Sequence, residues 1–207
     1  PRGVHRACAI PGRPVTVFVV VAAPASGGPA FLPEPCAAAL QLPGASAAER
    51  HATDGFTCAT ARTEGGAGSL YVSAGVVVAG DVRLDGRADL IRALRDTNTA
   101  RVMPQRGSSA SGGDLALVAA SYAQWGTAAV ERLRGDFSFV LWDGARRLFL
   151  AARDGMGVRP LYYASVPGGI CASNALDAVR AHPGVPNALH APAVVSFLQQ
   201  GWNRDTS

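Results

Sequence analysis

Hydrophobic side chains occupy both faces of the stretch GDFSFVLWD (135–143). In an extended strand, alternate residues point to opposite faces, so Phe137 and Phe139 share one face while Val140 and Trp142 share the other. A strand that is apolar on both faces is typical of one that is covered on both sides. We therefore predict a central strand here, followed by a turn at Gly144–Arg147 and a returning antiparallel strand, LFLAARD.

The same patterning divides the rest of the chain into further elements. Apolar, β-branched stretches bounded by turn residues predict strands at 15–23, 56–62, 69–84, 161–164 and 169–173. Apolar periodicity and capping residues predict helices at 87–95, from Asp114 to Gly126, from Thr127 to Leu133, at 175–181 and at 192–200. A short helix near 36–41 is also predicted, within a stretch that has little periodicity. Most of 24–50 and all of 96–113 lack periodicity and are predicted to be loops.

The order of these elements indicates the fold class. The strands come in hairpins, and helices stand between groups of strands rather than after each strand. That order favours an α+β fold with antiparallel sheets over a doubly wound parallel fold. Strands that are apolar on both faces predict two sheets packed together with helices outside.

Composition and charge exclude some classes of protein and of partner. Of the 207 residues, 48% are hydrophobic and 16% are charged, which excludes a disordered chain. The net charge is +4 and all 19 basic residues are arginines, but they are scattered and no aromatic residues interleave with them. We expect no nucleic-acid partner.

The cysteines and histidines show no metal-ligand spacing, so we predict no metal site. The four cysteines are Cys8, Cys36, Cys58 and Cys171, and buried thiols in a cytosolic protein are the preferred interpretation. The longest apolar run, 15–23, is too short to cross a bilayer, and we expect no membrane partner. Arginines precede that run and small residues follow it, so a secretory signal remains an alternative.

Two motifs are candidates for chemistry. SASGGD (109–114) resembles a phosphate-binding SGGxD loop, but no buried strand precedes it, and a loop that ends in a helix cap is preferred. The second candidate crowds Arg153, Asp154, Gly155, Gly157, Arg159 and Pro160 into eight residues. The Asp154 carboxylate could accept backbone N–H bonds or pair with Arg153 or Arg159. No nucleophile lies beside it, so a rigid turn is preferred over a catalytic loop.

A family resemblance rests on RLRGDFSFVLWD, AARDGMGVRPLYY and CASNALDAVRAHPGV. Together with GDVRLDGRADLIRAL and YAQWG, they resemble the N-terminal glutaminase-type (class II glutamine amidotransferase) domain of asparagine synthetases over about 80–201. The resemblance implies an Ntn-hydrolase-like four-layer sandwich, with two antiparallel sheets between helical layers. In it, Arg153, Asp154, Gly157, Arg159 and Pro160 form a framework turn.

Departures from that family concern its chemistry. Active members use a cysteine as their processed first residue, and here only Cys8 is a weak candidate. Where the family has the Asn-Gly pair that opens NGEIYN, this chain shows Asp81-Val82. A carboxylate at this oxyanion position would repel the developing charge. The family's Glu in FASE is Asn174. We therefore expect no glutamine hydrolysis, with an active glutaminase that uses Cys8 after processing as the alternative.

The tail HPGVPNALHAPAVVSFLQQGWNRDTS most resembles lasso peptide cyclases of the same superfamily. The resemblance implies a glutaminase-like domain over 1–185 and, from 186 to 207, the start of a linker and helix leading to an ATP-dependent synthetase domain. ATP and Mg would act in that domain, and this chain would hold no cofactor. Its expected partners are the synthetase domain, a precursor peptide and partner maturation proteins in the cytoplasm. A secreted binding domain is the second alternative.

Overall fold

The computed structural model of the chain describes residues 16–25, 30–41, 44–46, 48–63, 69–96, 113–188 and 191–200. The described strands are β1 (Thr16–Ala22), β2 (Glu49–Thr53), β3 (Phe56–Arg62), β4 (Leu70–Ser73), β5 (Val76–Leu84), β6 (Gly135–Asp143), β7 (Leu148–Arg153), β8 (Tyr162–Val166) and β9 (Gly169–Ser173). The described helices are α1 (Glu34–Ala38), α2 (Arg87–Asp96), α3 (Gly113–Trp125), α4 (Leu176–Arg180), α5 (Ala191–Gln200) and a 3₁₀ helix (Gly126–Arg132).

The strands form two antiparallel sheets. One has five strands in the order β2-β3-β1-β9-β8, and the other has four in the order β4-β5-β6-β7. β6 pairs with β5 over its whole length, from Asp143 opposite Val76 to Gly135 opposite Leu84. The α+β prediction with two antiparallel sheets and outer helices is confirmed.

Three apolar clusters define the layers. The first packs β5 and β6 against α2 and α3, and includes Phe137, Phe139 and Leu141. The second packs the five-stranded sheet against α1 and α4. The third lies between the two sheets and includes Val140 and Trp142. Both faces of β6 are therefore buried, as its alternation predicts, and the layers run helix, sheet, sheet, helix.

The structure differs from the sequence prediction in three places. The stretch 69–84, predicted as one strand, forms two strands, β4 and β5, joined by a turn at Ala74 and Gly75. β2, Glu49–Thr53, is not predicted from the sequence; it begins at the end of the predicted loop 24–50 and extends into residues with no assignment. Its residues ERHAT are mostly polar and exposed and leave no hydrophobic signal. The second short helix begins at Gly126 rather than at Thr127 and is a 3₁₀ helix without a side-chain cap. The predicted loop at 96–113 falls almost wholly outside the described residues.

Candidate functional site

Polar side chains close one end of the space between the sheets. On four strands, the face that points between the sheets is apolar except for one polar residue, which lies at the end of the sandwich where β1 begins. These polar side chains are all buried: Thr16 on β1, Thr60 on β3, Asp81 on β5 and Ser138 on β6. Asp81 lies directly opposite Ser138 in the β5–β6 pairing. We call these four residues the polar end.

The polar end joins the two sheets by hydrogen bonds. The Ser69 hydroxyl, just before β4, donates to the Thr60 hydroxyl of the other sheet at 3.1 Å. The Ser69 carbonyl accepts the Gly80 N–H at 3.1 Å, which connects the same residue to β5 beside Asp81. Buried polar groups need such partners, because an unpaired one costs about 1–3 kcal/mol.

An ion pair occupies the centre of the polar end. The Arg159 Nη1 atom lies 2.7 Å from the Asp81 Oδ2 atom, and the two side chains are only 15% and 10% exposed. Charges this far from water are tolerated when each compensates the other. The negative charge that the sequence suggests for an oxyanion position is therefore present, but Arg159 neutralises it.

The segment between β7 and β8 brings Arg159 to Asp81. The Asp154 Oδ1 atom accepts the Val158 N–H at 2.8 Å, and Oδ2 accepts the Arg159 N–H at 3.0 Å and the Phe137 N–H at 3.3 Å. Gly157 within this turn has φ +66°, which glycine adopts without strain. The carboxylate thus fixes the turn to the start of β6 and sets the direction of Arg159.

The electrostatics of Asp154 follow from these bonds. Burial acts to raise the pKa of the carboxyl group, but N–H bonds from Arg159, Val158, Phe137 and Met156 outweigh it and hold the pKa below its ordinary value. The sequence leaves open whether Asp154 accepts backbone N–H groups or pairs with an arginine. The structure shows that it accepts backbone N–H groups. The Arg159 guanidinium binds Asp81, and Arg153 has no ion-pair partner among the described residues.

Asn174 secures the beginning of β1 at this end. Its Oδ1 atom accepts the Phe18 N–H at 2.9 Å, and its Nδ2 atom donates to the Thr16 carbonyl at 2.7 Å. The amide side chain therefore continues the β1–β9 ladder beyond Ser173, the last paired residue of β9. A glutamate, which the family motif has here, lacks the N–H needed by the Thr16 carbonyl.

Two buried polar atoms at the polar end have no hydrogen-bond partner in the part of the chain that the structure describes. They are the Ser138 hydroxyl and the Arg159 Nε atom. Both flank Asp81, Ser138 by strand pairing and Arg159 by the ion pair. These two buried polar atoms, which lack a hydrogen-bond partner among the described residues, therefore lie on either side of the Asp81 carboxylate.

The described cysteines do not supply a nucleophile. Cys36, Cys58 and Cys171 are buried, unpaired thiols in the apolar clusters. Burial raises the pKa of Cys58 and of Cys171 to about 12, and it also raises the pKa of Cys36. Since the thiolate is the reactive form, these residues act as core side chains. Cys8, the candidate from the sequence, lies outside the described residues.

The remaining sequence candidates have structural contacts. Asp114 lies in the first turn of α3, where its Oδ2 atom accepts the Leu84 N–H at 2.9 Å and its Oδ1 atom lies 3.2 Å from Arg87 Nη1. It fastens α3 to the end of β5, and the preceding residues 109–112 are outside the described set. Within the described ranges, no three His, Cys, Asp or Glu residues come together to hold a metal ion, and no helix there is long and apolar enough to cross a membrane.

The Asp81–Arg159 pair was not anticipated from the sequence. A signal was nevertheless present, because Asp81 interrupts the apolar run VVVAGDVRL at a position that alternation places between the sheets. A buried carboxylate requires a cation or several N–H donors. Arg159, 78 residues away along the chain, could be identified as that cation only from the path of the β7–β8 turn.

Comparisons with known proteins agree with the geometry. The family model described as a glutamine amidotransferase domain matches residues 97–207, which is more than half of the chain. The chain is 47% identical over 55 residues to Amidase chyE of Penicillium rubens and 45% identical over 60 residues to a putative glutamine-hydrolysing asparagine synthetase of Mycobacterium tuberculosis. It is 35% identical over 72 residues to asparagine synthetase 3 of Bacillus subtilis, which is also described as glutamine-hydrolysing.

These similarities are local. They cover 27%, 29% and 35% of this chain and only 8%, 9% and 12% of the respective relatives. The chain therefore spans a small part of the length of the curated relatives it matches.

Proposed function

The chain belongs to the glutamine amidotransferase domain family of asparagine synthetase-like proteins, and on that basis we propose that it is a member without glutamine hydrolysis of its own. Its role is to scaffold an ATP-dependent, amide-forming enzyme by packing against the synthetase domain. A lasso peptide (macrolactam) cyclase of the cytoplasm is the specific enzyme we propose, with a precursor peptide and maturation proteins as partners.

The observation that carries this proposal is the ion pair at the polar end. A glutaminase needs hydrogen-bond donors aimed at the developing oxyanion and an open space beside the nucleophile. At the start of β1, the Arg159 guanidinium instead lies against the Asp81 carboxylate at 2.7 Å, and both side chains are largely buried. The Arg159 guanidinium, a hydrogen-bond donor beside β5, is thus bound by a carboxylate of the same chain.

The cysteines support the same proposal. The chain has four, and the three that the structure describes are core thiols with raised pKa values. Of the four cysteines in this sequence, only Cys8 is left as a candidate nucleophile. In this proposal, ATP and Mg²⁺ bind the synthetase domain and not the residues described here.

The second candidate function is an active glutaminase. Relatives that match this chain are named as glutamine-hydrolysing enzymes, and a chain processed at Cys8 would present a thiol and a free amine together. The scaffold proposal and this alternative differ in one product, which is ammonia.

Ammonia release from glutamine tests the proposal. We expect the purified 207-residue chain to release no more ammonia from glutamine than its Cys8→Ala variant. Cys36→Ala serves as the matched control, because it removes a buried thiol without touching the candidate nucleophile. Ammonia release that Cys8→Ala abolishes and Cys36→Ala preserves would replace the scaffold proposal with the glutaminase.

A further inference from the structure

The outer strands of the five-stranded sheet differ in how they are protected. Unpaired N–H and C=O groups on an outer strand attract other chains unless charges, prolines or covering segments protect them. β2 carries Glu49 and Arg50, and Arg50 forms an ion pair with Glu34 of α1. At the opposite side of the sheet, β8 reads YYASV and has no charged residue. Among the described strands, β8 pairs only with β9.

Exposed apolar side chains continue along the chain into β8. Met156 is 90% exposed and Tyr163 71% exposed, with Val158 and Tyr162 also exposed between them. Single exposed apolar side chains are ordinary, but here four follow one another along the segment that leads into an outer strand, and Tyr162 and Tyr163 lie on opposite faces of that strand. We call 156–163 together with the outer side of β8 the β8 edge.

The Arg153 guanidinium lies beside the turn at Gly157, where the β8 edge begins. Arg153, the last residue of β7, is exposed, and its guanidinium has no hydrogen-bond or ion-pair partner among the described residues. Its guanidinium lies along the turn, since a Cβ atom added to Gly157 would be 3.7 Å from the Arg153 Cζ atom. The neighbouring Asp154 carboxylate accepts three backbone N–H bonds and forms no ion pair with Arg153.

We propose that the β8 edge binds an extended peptide segment as a sixth strand of the five-stranded sheet. The segment pairs its backbone with β8, packs apolar side chains on Tyr162 and Tyr163, and places a carboxylate on Arg153. This is recognition by strand addition, in which the backbone supplies affinity and side-chain positions supply specificity. The inference deepens the proposed function and rests on it, because it assigns the peptide partner to a surface.

Charge complementarity favours a peptide over a second copy of this chain. Antiparallel pairing of two β8 strands would set YYASV against itself and would offer no carboxylate to Arg153. An extended peptide that carries Asp or Glu satisfies the backbone, the aromatic side chains and the cation together.

Fluorescence anisotropy with a defined probe tests this site on the 207-residue chain. The probe is a fluorescein-labelled octapeptide of alternating Val and Thr with Glu as its seventh residue. In antiparallel pairing, that Glu lies near the start of β8. We expect saturable binding that weakens about two- to fivefold when Glu is replaced by Lys, as for an exposed ion pair. N-methylation of alternate peptide nitrogens should weaken binding about tenfold or more, because it removes the strand hydrogen bonds.

Charge reversal locates the site on the protein. Arg153→Glu should reverse the preference so that the Lys peptide binds more tightly than the Glu peptide. Arg95→Glu makes the same charge change at an exposed position of α2 and should leave the preference unchanged. Tyr163→Lys should weaken both peptides. Because Tyr163 is exposed, an unchanged melting temperature would show that this variant is folded.

Three results would overturn the inference. They are no saturable binding, binding that N-methylation leaves unchanged, and a concentration-dependent dimer in ultracentrifugation that Tyr163→Lys dissociates. The last result would assign the β8 edge to a second copy. None of these experiments measures ammonia, so a failure here is distinguishable from a failure of the scaffold proposal.

Discussion

Where β6 ends, Trp142 and Phe56 stack with ring centroids 6.0 Å apart inside the sandwich, whereas Ser138, near the start of the same strand, faces Asp81 and the polar end. Arg147 closes the first end from outside, with its Nη1 atom 2.7 Å from Asp54 Oδ2. The first end is held mainly by apolar contact, and the second by hydrogen bonds and one ion pair. One sandwich thus uses apolar packing at one end and directional polar bonds at the other.

Glycine makes the apolar end possible. Gly55 has φ +73°, and a Cβ atom there would lie 2.9 Å from both Trp142 Cζ2 and Arg147 Nη2. Any side chain at this position would displace the tryptophan or the arginine that covers it. The polar end also depends on a glycine, Gly157 in the β7–β8 turn, but its contacts are made by side chains that reach across from other elements.

The largest expected effect is at the apolar end. Trp142→Ala should lower the free energy of unfolding by about 3–5 kcal/mol, since it removes a fully buried aromatic side chain and leaves a cavity. Urea unfolding followed by circular dichroism measures this loss. The half-buried Trp125 is the matched control, and Trp125→Ala should cost about 1 kcal/mol. Equal losses for the two variants would show that the inter-sheet tryptophan does not hold the sheets together.

Asp154→Ala should be next in size. It leaves the N–H groups of Phe137, Val158 and Arg159 without their acceptor, and we expect a loss of about 2–4 kcal/mol. Asp89→Ala removes an exposed carboxylate on α2 and should cost less than about 0.5 kcal/mol. An Asp154→Ala protein as stable as the parent would refute the framework role of the turn.

Asn174→Ala should have a smaller effect, about 1–2 kcal/mol, because it removes one donor and one acceptor from the beginning of β1. Amide hydrogen exchange should also increase at Phe18, whose N–H loses its acceptor. Asn187→Ala, which removes only the exposed contact with Arg180, is the control. Unchanged exchange at Phe18 would mean that Asn174 does not secure β1.

The smallest expected effect is a pH dependence. The folded-state pKa of Asp154 lies below its unfolded value of about 3.9, so its contribution is complete above that value and is lost as pH falls through the folded pKa. Unfolding free energies measured from pH 6 down to pH 3 should therefore decrease, and Asp154→Asn should make the decrease shallower. Asp143, whose pKa is also lowered, leaves a residual slope in the variant. Identical slopes for parent and variant would contradict the bonding of Asp154.

Regular alternation made much of the fold predictable. Both faces of β6 are predicted by Phe137, Phe139, Val140 and Trp142, and the structure buries all four. β2 was missed because an exposed outer strand needs no apolar face, and ERHAT therefore resembles a loop in sequence.

The polar end was less predictable, since its contacts join residues that are distant in the chain. In the sequence, Asp154 has two arginines close by, Arg153 and Arg159, as possible partners. In the structure, Asp154 accepts backbone N–H groups, and the Arg159 guanidinium binds Asp81. The identity of a bonding partner depends on the path of the chain between strands, and alternation carries no information about that path. The role of the turn as a family framework stays a prediction.

A double-mutant cycle on Asp81 and Arg159 tests most directly whether the polar end is a closed, ion-paired framework. We expect Asp81→Asn and Arg159→Met each to lower the free energy of unfolding by about 2–4 kcal/mol, because each removes one member of a largely buried ion pair. The double variant should lose less than the sum of the two by at least about 1 kcal/mol. Losses that simply add would contradict the account, because they would mean that the two side chains do not depend on each other.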